Sequence, residues 1–411
     1  MHGTPFPSMR AEHGVHTRRE YNAPSKSAGG RSCAAGRKEA RLMEKNGFSL
    51  RLDALKIACM FLIVMYHVYT AFINWTGGGG QALFAEASDF VTGWPVSLAI
   101  FGHVGIVPFF IISGLGLTYS QRVRERSALA FYRRRFVRIM PLYWIVLALT
   151  VATIALWQEE PTLDWASILV HIPALHSLSS AYAQDMNGPL WFVGVIVQLY
   201  LLFPLCYALM KRMRFAAFFV LALLLKTGSA YLMLTLDGLA NPPTFYLPEF
   251  FIGMYIGMRW AGDPAFRIRG AVGCAATVLS VLLLFLISTS SFFRDLSLWV
   301  VNCDWLLGVS LFFSLEWLLG HVLRPGVERA CAGLIRAGAN ATFVVFLTHL
   351  LFYNYYLGRP LYQLKLEVAD SFTLTFIVIC GFYVVVSWFG NAVQKDYDRF
   401  VDRMQRRPES A

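Results

Sequence analysis

Ten apolar runs, each about 18 to 25 residues long, recur along this chain, and that is the length a helix needs to cross a ~30 Å hydrocarbon core. They fall at 54–76, 95–119, 139–157, 189–210, 215–236, 244–260, 270–290, 298–319, 339–357 and 371–393. In lipid the backbone has no water to bond, so a lone apolar run of this kind folds as a helix that closes its own hydrogen bonds. Composition agrees, with 56% hydrophobic residues and only 15% charged, where a soluble domain carries about a quarter. The sequence therefore predicts an all-α, polytopic integral membrane protein with about ten transmembrane helices.

Lysine and arginine set the orientation. The even-numbered connections (120–138, 211–214, 259–269, 321–337) and the tail after 392 hold 21 of them, while the odd-numbered connections hold 3. By the positive-inside rule the N and C termini are cytoplasmic, in a multi-pass protein of the plasma (bacterial inner) membrane. The net charge of +11 thus reports topology and does not point to nucleic acid. Residues 1–50 read as a disordered basic tail without an apolar segment of signal-peptide type, and Met43 is an alternative start. The membrane domain covers 51–393, and 394–411 form a cytoplasmic C-terminal tail. Of the outward connections, 77–94 opens with four glycines, and 158–188 carries a short apolar piece, Ile168 to Leu175, that reads as interfacial or re-entrant. Seven scattered cysteines without a CxxC pair argue against a disulfide framework and against a metal site.

Ionisable groups inside spans are costly and therefore candidates for function. In the first span Lys56 and His67 are eleven residues apart, three helical turns, so they share a face about 16 Å apart in depth. Arg135 and Arg138 lie one turn apart before Pro141, and guanidinium forks suit phosphate. Ser113 sits beside Gly114 in FFIISGLGL, where close helix packing is a better account than a nucleophile. Trp191 stands at a span boundary, the usual place of an interfacial anchor. Lys226 and Glu249 fall on adjacent spans and suit either an ion pair or a substrate role, and His349 lies near the middle of the ninth span.

Six segments in this order resemble the membrane-bound acyltransferase family 3, which includes O-antigen and exopolysaccharide O-acetylases. They are Arg51-Leu52-Asp53-Ala54-Leu55-Lys56 with His67, FFIISG, RRFVRIMPLYW, LWFV with Tyr200 and Pro204, LPEFFIGM, and VVFLTHLL. Lys56 stands where the family usually has arginine, and Ile196 and Val197 stand where many members carry a Glu-Glu pair. The resemblance implies transfer of an acyl group, acetyl above all, from a cytoplasmic acyl-CoA to a carbohydrate hydroxyl. It implies His67 as catalytic base or acyl carrier, and Arg135 and Arg138 with Lys56 at the donor. Acyl-CoA is then a co-substrate, with no bound cofactor, and the partners are a cell-envelope glycan and the bilayer. A secondary transporter or flippase for a sugar or lipid-linked sugar, with His67, Lys226 and Glu249 as a proton relay, is the alternative.

Overall fold

A computed structural model describes residues 48–75, 101–157, 164–263, 266–290, 304–358 and 372–406. The basic tail up to residue 47, the glycine loop at 77–80 and the connections at 291–303 and 359–371 lie outside the described residues. The architecture is all-α. Its helices are α1 (Phe48–Trp75), α2 (Ile106–Val123), α3 (Ala128–Trp157), α4 (Trp165–His171), α5 (Leu190–Arg212), α6 (Phe215–Thr235), α7 (Leu247–Gly262), α8 (Gly270–Thr289), α9 (Asp304–Val322), α10 (Pro325–Phe352) and α11 (Phe372–Arg406). Each predicted span meets a helix, and the short α4 overlaps the predicted interfacial piece, with Asp164 capping it by accepting from the Ala166 N–H at 3.0 Å.

Among the described residues, seven helices are long and apolar enough to cross a membrane by length and composition. The protein is thus a multi-pass integral membrane protein. Leu224, Leu234, Val281, Val384 and Trp388 are exposed on α6, α8 and α11, a distribution that suits lipid and not water. Four of the eleven helices fall outside the seven, the short α4 among them. The first turns of α1 carry Arg51, Asp53 and Lys56, and α7 has only 16 residues.

The tightest seam joins α2 and α7. A Cβ at Gly253 would overlap the Ile111 carbonyl, and one at Gly114 would overlap the Phe250 carbonyl, so these glycines let two backbones touch. With no hydrophobic effect between helices in lipid, such van der Waals contact holds the bundle together. Around this seam, α1, α3, α5, α10 and α11 contribute to one large apolar core that includes Met60, Phe110, Tyr143, Phe203 and Leu347.

Two helices run further than their apolar runs. α3 begins at Ala128, eleven residues before the predicted span, so Pro141 lies inside it. Proline has no N–H for the carbonyl four residues back. That carbonyl, on Val137, accepts instead from the Tyr397 hydroxyl at 2.7 Å. Tyr397 belongs to the second extension, because α11 continues through the expected tail to Arg406.

Candidate active site

His67 and His349 meet. The Nδ1 of His67 lies 2.8 Å from the Nε2 of His349, and the rings are near parallel at 28°. The second ring fixes the protons of the first. His349 Nδ1 is 2.9 Å from the Val345 carbonyl and 3.0 Å from that of Phe346, which can only accept. In the neutral pair His349 therefore carries its proton on Nδ1 and accepts on Nε2, so His67 donates from Nδ1. The remaining nitrogen, His67 Nε2, is left with a lone pair. α10 is held here by Asn187, whose Nδ2 donates to the Leu347 carbonyl at 2.9 Å. His349 is fully buried, and His67 keeps partial exposure.

A cavity of about 770 Å³ opens at the end of the bundle where α1, α3 and α10 begin and α5 and α11 finish. Five cations line it: Lys56, Arg135, Arg138, Arg336 and Lys395. Asp53 is the acidic residue in its wall, and it is already bonded to Lys56 at 2.8 Å. The Arg135 guanidinium lies over the rings of Phe131 and Tyr200, at 5.7 and 5.9 Å, while its Nε is buried without a protein acceptor. Such a wall favours a polyanion with several oxygens. Its inner limit includes Phe192 and Phe346, whose rings are 4.9 Å apart, and Phe346 is one helical turn before His349. The cavity lining thus reaches, on α10, to within one turn of His349, while neither histidine is itself among the lining residues.

A family model described as an acyltransferase domain matches residues 49–391. The chain belongs to acyltransferase family 3. Acyltransferase MdmB of Streptomyces mycarofaciens is 32% identical over 117 residues, which are 27% of this chain and 30% of that protein. The chain thus matches about a third of the length of this curated relative. No solved structure matches it.

The other sequence candidates in this family member divide clearly. Ser113 and Ile196 line the cavity. Trp191 packs on Tyr246, with centroids 5.7 Å apart, and is not among the cavity-lining residues. Lys226 and Glu249 form a buried ion pair at 2.9 Å, and Lys226 also donates to the Phe245 carbonyl at 2.9 Å. That pair is separate from the His67–His349 contact. Arg51, the first residue of the family-like stretch, is held by Glu316 of α9 at 2.8 Å.

A second histidine stack, His171 on His176 at 3.9 Å, closes the far end beside Tyr143. Ser167 and Asp185 lie next to it, but the serine hydroxyl donates to Asp185 and so offers no proton to a histidine base. Burial first, and His171 second, push His176 down to about 3, so its ring is neutral and serves packing.

Arg336, Asn340, Asn391, Gln394 and Lys395 are the cavity residues that sequence reasoning missed. Arg336 and Lys395 were visible only as members of the positive-inside count. A signal was available for α11: its polar end keeps Tyr397 and Val401 on one face, four residues apart.

Proposed function

We propose that this protein is a membrane O-acyltransferase that moves an acyl group, acetyl above all, from a cytoplasmic acyl-CoA to a hydroxyl of a cell-envelope carbohydrate. The observation that carries this reading is the His67–His349 pair standing beyond a cation-lined cavity. Family membership supports acyl transfer, and the name of the relative, Acyltransferase MdmB, agrees with that class.

The donor's phosphates bind at the mouth, against Arg135, Arg138, Lys56, Arg336 and Lys395, and its thin arm extends toward the pair. Lys56 is eleven residues from His67 on α1, about 16 Å along the helix. His67 Nε2 takes the proton of the acceptor hydroxyl as its oxygen attacks the thioester carbonyl. The C–S bond then breaks, the proton passes to the thiolate, and the products are an ester and free CoA. His349 is a positioning residue: it holds His67 in the tautomer with an open Nε2. A two-step route through an acyl-histidine would use the same nitrogen. The relay of the transporter reading is not favoured, since Lys226 is held by Glu249 and His67 by His349. Purified protein that releases CoA thiol only when a sugar acceptor is present supports the enzyme; transport of the sugar without thiol release overturns it.

Removal of the mouth arginines weakens donor binding. Arg138→Ala and Arg135→Ala each raise the acetyl-CoA KM about tenfold with kcat little changed, because they hold groups that do not react. Steady-state kinetics against donor concentration reads this, and an unchanged KM in both variants returns these residues to membrane anchoring.

In the orientation we propose, ten helices cross the membrane with both termini and the cavity mouth cytoplasmic. Reporter fusions after residues 128 and 330 then read as cytoplasmic and a fusion after 175 as external. A cytoplasmic signal at 175 breaks the ten-span order.

A further inference from the structure

The polar end of α11 brings two residues with unpaired acceptor atoms to the cavity wall. Gln394 and Asn391 are three residues apart, hence on one helix face, and both line the cavity wall. Gln394 is 5% exposed, and its Nε2 donates to Asp398 Oδ1 at 3.0 Å. A carboxylate accepts only, so this bond assigns the amide's orientation and leaves Oε1 as the free end. Gln394 Oε1 and Asn391 Oδ1 are both buried and have no hydrogen-bond partner in the protein. Buried acceptors of this kind are rare in native structures, and two on one face of one cavity ask for a common donor.

Beside them stand two cations, Lys395 on the same helix and Arg336 on α10. Arg336 is thirteen residues before His349, about 20 Å along α10, so this corner is the part of the cavity remote from the histidine pair. A ligand that fits must present hydrogen-bond donors and negative charge at one end and a reactive group far away at the other. Inorganic phosphate has the charge without a separate donor group, and a simple sugar has donors without the charge. A purine nucleotide with an exocyclic amine has both.

We propose that Asn391 and Gln394 form the base-recognition subsite for the donor, accepting hydrogen bonds from the adenine amino group while Arg336 and Lys395 hold the adjacent phosphates. The proposal rests on the acyl-CoA reading above and deepens it. Asp398 is a positioning residue in this account, because it aims Gln394. Donor selectivity is then carried by the end of the last helix, and it is separate from the chemistry at His67.

Binding measured without turnover tests this independently of catalysis. Calorimetry on the purified full chain compares CoA, its hypoxanthine analogue and 4′-phosphopantetheine, which lacks the nucleotide. The unaltered protein binds CoA about tenfold or more tighter than the hypoxanthine analogue, whose base carries an acceptor where adenine carries the amine. Gln394→Met keeps length and helix preference but removes the acceptor, and it erases most of that difference while leaving phosphopantetheine affinity unchanged. Asn391→Leu acts in the same direction and guards against a folding defect in the first variant. Equal affinity for CoA and its hypoxanthine analogue in the unaltered protein overturns the proposal, as does a variant that weakens all three ligands alike. If CoA binds with the expected preference but no acyl transfer occurs, the subsite stands and the enzyme reading fails.

Discussion

His67→Ala lowers the acyl-transfer rate by about 10²–10⁴-fold, the usual contribution of a placed general base, and leaves CoA affinity within about twofold. The loss falls on kcat because Nε2 acts on the proton in flight, while the donor is held by the cationic mouth. His349→Ala costs less, about 10²-fold in kcat, the order of loss expected when a reacting group is misplaced. Sequence position alone makes His349 a packing residue with a mild phenotype; its contact with His67 raises that expectation. His349→Gln retains an acceptor toward His67 Nδ1 and recovers part of the rate, which a mere packing role would not produce. All three variants are compared in the same membranes at normalised protein levels. Near-normal turnover in His67→Ala removes the mechanism.

Lys226→Met destabilises the folded protein by about 3–5 kcal/mol, since Glu249 is left charged or protonated without its partner in a site from which water is excluded. Lys226→Met combined with Glu249→Leu regains most of that loss, because two apolar groups need no partner. Membrane abundance and the thermal midpoint in detergent read both steps. This contrast decides between the two roles open to these residues in the sequence. A Lys226→Met protein that is as stable as the parent but inactive gives the pair to the substrate; recovery in the double variant makes it a structural clamp between α6 and α7.

The bundle was legible because length and apolarity are local properties. Each apolar run met a helix, and the Gly114 environment was readable as close packing. What hydropathy misses is helix that is charged. Arg133, Arg134, Arg135 and Arg138 hide the first turns of α3, although arginine, alanine and leucine are good helix formers. The stretch QKDYDRFVDRMQR hides the end of α11 in the same way. The site was half legible. His67, Lys56, Arg135 and Arg138 stand out through spacing on one or two helices. The partner of His67 is 282 residues away, and no local pattern links them. Arg336 and Lys395 were masked by a rule that explains any cation at that end of a span equally well.

The bond from Tyr397 to the Val137 carbonyl has a consequence for biogenesis. Pro141 opens a gap in the hydrogen-bonding of α3 as soon as that helix enters the membrane, and the group that closes it is made 260 residues later. Until then the Val137 carbonyl, which lies between exposed Phe136 and Arg138, has water as its partner. The same stretch of α11 carries Asn391, Gln394 and Lys395, so the cavity gains its last wall in that same event. A partly synthesised chain can bring His67 and His349 together once α10 is inserted, but its cavity still lacks the wall that α11 supplies. On the proposed reading, the donor site is thus completed after the histidine pair, when the last helix docks.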